Sequence, residues 1–161
     1  MTLLRCRGRA GGSSPPRPIT SPPHRPTAMV EFAPDLLHVP CGANDIVRRR
    51  PDFGEIERTL RRMYDLATGT GALLTTFTLG RAYVVPVFPD WPERIAAVNE
   101  IVRGLASECG AVVVDMWDHP VNDRDNLLSA DRLHFSASGQ AVMAAEVVKK
   151  LAASLGHIAS A

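Results

Sequence analysis

The sequence predicts an α/β fold, a parallel sheet covered on both faces by helices. Three observations predict it. Short, uninterrupted apolar runs alternate with longer segments whose apolar residues recur at helical spacing. Glycine and proline punctuate the joins between them. The runs are apolar throughout rather than at every second residue, which marks strands buried on both faces. In such a sheet a ligand site forms at the carboxyl ends of the strands.

The elements follow in order. Leu36 to Pro40 is a short apolar strand between Pro34 and Gly42. Residues 54–68 read as a helix, with Ile56, Leu60, Met63, Tyr64 and Ala67 on one face and Arg58, Arg61 and Arg62 on the other. Gly69 and Gly71 end it. Ala72 to Phe77 is a second strand. A loop over residues 78–92 carries Tyr83, Phe88 and Trp91, expected to wall a pocket or to cover the end of the sheet. Pro92 suits the first turn of a helix running to about Glu108. Residues 111–116 form a third strand, and 117–130 a polar loop, with Trp117 read as core packing. A last helix spans about 136–155, its apolar face drawn by Ala141, Val142, Ala145, Val148 and Leu151.

The bulk numbers exclude several classes. The 161 residues suffice for one domain, and a formal net charge of +1 creates no field for nucleic acid or an anionic membrane. No apolar run approaches the roughly 20 residues needed to cross a bilayer, and Leu3-Leu4 is no signal-peptide core. Cys6, Cys41 and Cys109 fit neither a disulfide framework nor a metal site, so a cytoplasmic setting is expected. Residues 1–31 stand apart. The arginines 5, 7, 9, 17 and 25, six prolines and no acidic residue before Glu31 read as a disordered tail, leaving 32–161 as the domain. The run Arg48-Arg49-Arg50 reads as a solvated loop rather than a nucleic-acid patch.

Two strings carry the chemistry. In Asp131-Arg132-Leu133-His134, one turn brings a carboxylate against an imidazole, fixing its tautomer and freeing the other nitrogen to take a proton. The same spacing suits an aspartate that only caps a turn. In Gly42-Ala43-Asn44-Asp45, a sharp glycine turn presents an amide able to donate to a developing oxyanion. Its polar side chains could equally satisfy the turn's own backbone.

Taken together with Pro34-Asp35-Leu36-Leu37, Val113 to Trp117 and the continuation Phe135-Ser136-Ala137-Ser138-Gly139, the chain resembles the SGNH hydrolases, the GDSL-like lipase/acylhydrolase family, over about residues 32–155. The resemblance implies a flavodoxin-like three-layer α/β/α sandwich, truncated at its N-terminal strands. It implies hydrolysis of small-molecule esters without metal or cofactor. His134 would be the general base, Asp131 its orienting residue, and Asn44 with Gly42 the oxyanion hole.

The family's Gly-Asp-Ser turn has no counterpart in this chain. Ser13, Ser14 and Ser21 follow no apolar strand, and Cys41, at a strand end, reads as packing, so the nucleophile is unassigned. The sequence therefore supports an acyl-ester hydrolase impaired for want of a nucleophile, or alternatively a non-catalytic binding domain of the same fold. Without a first strand, residues 36–40 would form an apolar sheet edge prone to self-association.

Overall fold

A computed structural model describes residues 2–4 and 31–158. The chain forms a three-layer α/β/α arrangement. Strands β2 (Leu36–His38), β3 (Leu73–Phe77) and β4 (Val112–Val114) run parallel, each neighbouring the next. Helices α1 (Phe53–Thr68) and α2 (Trp91–Glu108) link them, and α3 (Ala137–Ile158) follows a single 3-10 turn at Pro120–Asp123. Strand register sets Leu37 opposite Leu74 and Thr76 opposite Val113.

The helices form where the pattern places them. Asp52 caps α1 by accepting from the Glu55 amide at 3.0 Å, and Ile56, Leu60, Tyr64 and Ala67 are buried. They meet Leu37, Val39 and Leu74 of the sheet and Ile95, Val98 and Val102 of α2 in one apolar cluster. A second cluster joins Val114 and Met116 to Val121, Leu127 and Met143 of α3.

Two expectations are corrected. The edge of β2 is covered, because Thr2–Leu4 (β1) pairs antiparallel with it, Leu3 opposite Leu37. Backbone groups along an unpaired apolar strand recruit any short extended segment within reach, and Thr2-Leu3-Leu4 is such a segment. The rest of the arginine- and proline-rich tail lies outside the described residues.

The inward face of α3 is also rotated from the expected one. Gly139 and Met143 are buried and Val142 and Val147 half-buried, whereas Ala141 and Ala145 are exposed and Val148 is 64% exposed. Gly139 sets this rotation. A Cβ there would stand 2.1 Å from the Leu127 carbonyl oxygen, so only glycine lets the helix start against that loop. On a helix apolar nearly all round, periodicity alone does not pick the buried side.

Candidate functional site

Asp131 and His134 meet. Nδ1 of His134 lies 2.7 Å from Oδ2 of Asp131. The other carboxylate oxygen accepts from the backbone N–H of Leu133 at 2.9 Å and of His134 at 3.0 Å. The Ser129 hydroxyl stands 2.9 Å from that oxygen and 3.0 Å from the His134 carbonyl. The imidazole, the two backbone amides and this hydroxyl hold the Asp131 carboxyl well below the usual carboxylate range. An ionised carboxylate has no proton to give, so Nδ1 is the donor and Nε2 is left as a base. The His134 side chain is 81% exposed. Asp131 thus makes two sets of contacts: one oxygen accepts the amides of the turn while the other meets the ring.

The turn is built to do this. Arg132 adopts a left-handed backbone, φ 57°, which brings the amides of residues 133 and 134 round onto the carboxylate. The Ser129 amide donates to the His134 carbonyl at 2.8 Å, and Leu128 bridges to Phe135, closing the loop at its base. Ser136 then caps α3 by accepting from the Gly139 amide at 3.0 Å.

The other string forms a tight turn at the end of β2, closed by the Asp45 amide on the Gly42 carbonyl at 3.2 Å. Gly42 has φ 95°, and a Cβ would meet Val98 Cγ2 at 2.6 Å. Among the described residues no hydrogen bond occupies the Asn44 side chain, and the residue is exposed. Beyond the turn, the buried Arg94 of α2 holds the chain: it donates to the carbonyls of Ile46 at 3.0 Å and Arg48 at 2.5 Å, and its guanidinium carbon lies 4.3 Å from the Phe88 ring centroid. The run Arg48-Arg49-Arg50 is thus a loop pinned by its own carbonyls. Burial pushes the Cys41 thiol up to about 11, so it is not the thiolate a nucleophile requires.

Both turns belong to the carboxyl end of the parallel strands. The Phe135 ring packs edge-on to Phe77, the last residue of β3, at 6.5 Å, and Phe77 packs on His38, the last residue of β2, at 5.4 Å. Tyr83 closes on Phe135 at 5.6 Å and accepts the Trp91 indole N–H at its carbonyl, 3.1 Å away. The aromatic residues of the 78–92 loop therefore brace the end of the sheet. The same loop walls a cavity of about 530 Å³ through Arg81, Ala82 and Val84, and Ser129, Ala130 and Arg132 of the dyad turn form part of the cavity's lining. His134 and Asn44 are not in that lining.

Sequence reasoning missed the groups that hold these loops. Asn99, fully buried on α2, clamps Leu79 by accepting its amide at 2.7 Å and donating to its carbonyl at 2.9 Å. Asn122 donates to the carbonyls of Met116 and His119, each at 2.8 Å. Arg103 chelates Asp115, which accepts from the Thr78 hydroxyl at 2.8 Å, and these contacts hold the Asp115 carboxyl down to about 2. The available signal was a polar residue on an otherwise apolar helix stripe, as at Asn99 and Arg94. Among the described residues no serine or cysteine side chain bonds the His134 ring; Ser13, Ser14 and Ser21 lie outside them.

Comparison with known proteins agrees with this architecture. The sequence model of the GDSL-like Lipase/Acylhydrolase family matches residues 7–142. No curated protein matches the sequence. Among solved structures, the chain is similar to TesA (19% identity, TM-score 0.60, covering 78% of this chain and 67% of that one). It is also similar to the acetylxylan esterase Axe2 from Geobacillus stearothermophilus (18%, 0.60, 75% and 61%). A third is the psychrotrophic esterase EstA from Pseudoalteromonas sp. (15%, 0.63, 81% and 68%). The chain thus spans about three fifths to two thirds of their lengths. At these identities the likeness is one of fold, while the family match covers most of the sequence. The chain belongs to the GDSL-like lipase/acylhydrolase family.

Proposed function

We propose that this chain hydrolyses small-molecule esters, with His134 as general base, Asp131 holding its tautomer, and Asn44 with the Gly42 amide stabilising the oxyanion. The observation that carries the reading is the 2.7 Å contact between Asp131 and His134 Nδ1. The carboxylate stabilises the imidazolium formed when Nε2 takes a proton, and the exposed ring can reach a substrate. Asn44 supports the reading through its uncommitted amide on a turn that only glycine can make. The chemistry requires neither metal nor cofactor, and no nucleic-acid or membrane partner enters it. Among the described residues no helix is long and apolar enough to cross a membrane. The free thiols of Cys41 and Cys109 suit the reducing cytoplasm.

A second reading, a binding domain of the same fold, is favoured by the absence of a serine on the imidazole among the described residues. Hydrolysis of 4-nitrophenyl acetate, with parallel labelling by a fluorophosphonate, separates the two. Turnover lost in Asp131→Asn supports the hydrolase. If a serine is also labelled, the mechanism passes through an acyl-enzyme; turnover without labelling means that the dyad activates water directly. A folded chain with neither turnover nor labelling is a binding domain.

A further inference from the structure

Charged and apolar side chains share the wall of the cavity beside the dyad turn, with Val84, Leu127 and Leu128 standing among arginines and aspartates. Arg81 comes from the loop after β3, Arg124 from the segment after the 3-10 turn, and Arg132 from the dyad turn itself. Asp123 and Asp125 are the carboxylates among them. Arg81 is committed to Asp123 at 2.5 Å. Among the described residues neither Arg124 nor Arg132 has a carboxylate partner, so the lining holds two such guanidinium groups and one further carboxylate, that of Asp125. The neutral polar groups are spent: the Ser129 hydroxyl serves Asp131 and the His134 carbonyl, and the Asn122 amide serves backbone carbonyls. The volume, about 530 Å³, is that of a small-molecule site. A carboxylate or phosphate would meet planar, charged donors there, matched to its geometry.

We propose that this groove is an anion subsite that receives a carboxylate or phosphate group carried by the ester. The inference rests on the hydrolase reading for the word ester, and on the groove alone for the anion. Arg132 lies two residues from His134 along the same turn, so the groove adjoins the segment that carries the imidazole, which itself stands outside the lining. Asp125 opposes a second negative charge and so favours a carboxylate over a largely dianionic phosphate monoester.

The test separates binding from turnover. Succinamate, which carries a carboxylate and an amide in place of an ester, is titrated into the labelled full chain beside its neutral analogue butyramide. Shifts at the amides of Arg124 and of Ser129 to Arg132 are expected with succinamate alone, weakening as salt rises. Arg124→Gln and Arg132→Gln are each expected to weaken binding about fivefold, and Arg132→Lys less. Equal binding of the two ligands, or binding of succinamate indifferent to both arginine variants, overturns the subsite. Monoethyl succinate and ethyl butyrate, followed by proton release, report on the hydrolase separately. Equal hydrolysis of both esters removes the anion subsite and leaves the hydrolase. Succinamate binding with no hydrolysis of either ester leaves the subsite and removes the hydrolase.

Discussion

Gly42→Ala perturbs the fold and the candidate oxyanion turn at one atom. At φ 95° an alanine sits in the left-handed region, which costs about 1–2 kcal/mol for a residue with a Cβ. The new methyl would also lie 2.6 Å from Val98 Cγ2, on a fully buried residue of α2 that cannot swing away. Overpacking of this kind costs about 1–3 kcal/mol. The stiffer unfolded chain returns about 0.4–1 kcal/mol. The net destabilisation is about 2–4 kcal/mol, a fall in melting temperature of about 6–12 °C for a chain of this size. Thermal unfolding followed by circular dichroism measures it. Gly104→Ala serves as the control, since nothing lies within 4 Å of that position in α2; it gains about 0.5–1 kcal/mol from helix propensity. In the double variant Gly42→Ala/Val98→Ala the clash is gone, so the two losses fall short of additivity by about 1–3 kcal/mol. A Gly42→Ala protein that melts within about 1 °C of the parent, or a strictly additive double variant, would refute the close-approach argument.

Asn99→Ala strands the buried amide and carbonyl of Leu79, at about 1–3 kcal/mol for each group. Urea titration should show a loss of about 2–6 kcal/mol; an unchanged midpoint would mean that water replaces the clamp. Asp115 has its carboxyl held down to about 2 by Arg103 and then Thr78, so its contribution is complete above the unfolded pKa of about 4 and fades as pH falls from there toward 2. Urea midpoints of Asp115→Asn and the parent should therefore converge as the pH falls toward 2; a constant gap would contradict the ion pair. The Cys41 thiol, pushed up to about 11 by burial, should resist iodoacetamide at neutral pH in the folded chain and react only as the solution becomes strongly alkaline. Rapid alkylation of Cys41 at pH 7 would reopen it as a nucleophile.

The parts of the fold that the sequence made legible are those where burial repeats along the chain. The stripe Ile56, Leu60, Tyr64 and Ala67 shows its buried face by period, and the apolar runs of β2 to β4 show by their lack of alternation that both faces are covered. The dyad was legible because its two residues lie within a single turn. What stayed hidden depends on contacts distant in sequence. Three residues at Thr2–Leu4 are too few to show a period, and their pairing is set by the empty edge of β2. The rotation of α3 is decided by the Leu127 carbonyl against Gly139, which no helical pattern encodes. Ser129 and Asn122 act on backbone atoms five or six residues away, and Arg94 on the carbonyl of Ile46 across 48 positions, so their roles appear only once the loops are placed.

In the proposed reaction the imidazole of His134 and the amide of Asn44 act on one ester. The most direct measurement is kcat/KM for 4-nitrophenyl acetate in the parent, His134→Ala and Asn44→Ala, with melting temperatures recorded for all three. Each variant should melt like the parent and lose at least about a hundredfold in rate, the amide variant through about 2.7–4 kcal/mol of lost oxyanion stabilisation. Parental turnover in either variant would contradict the proposed reaction.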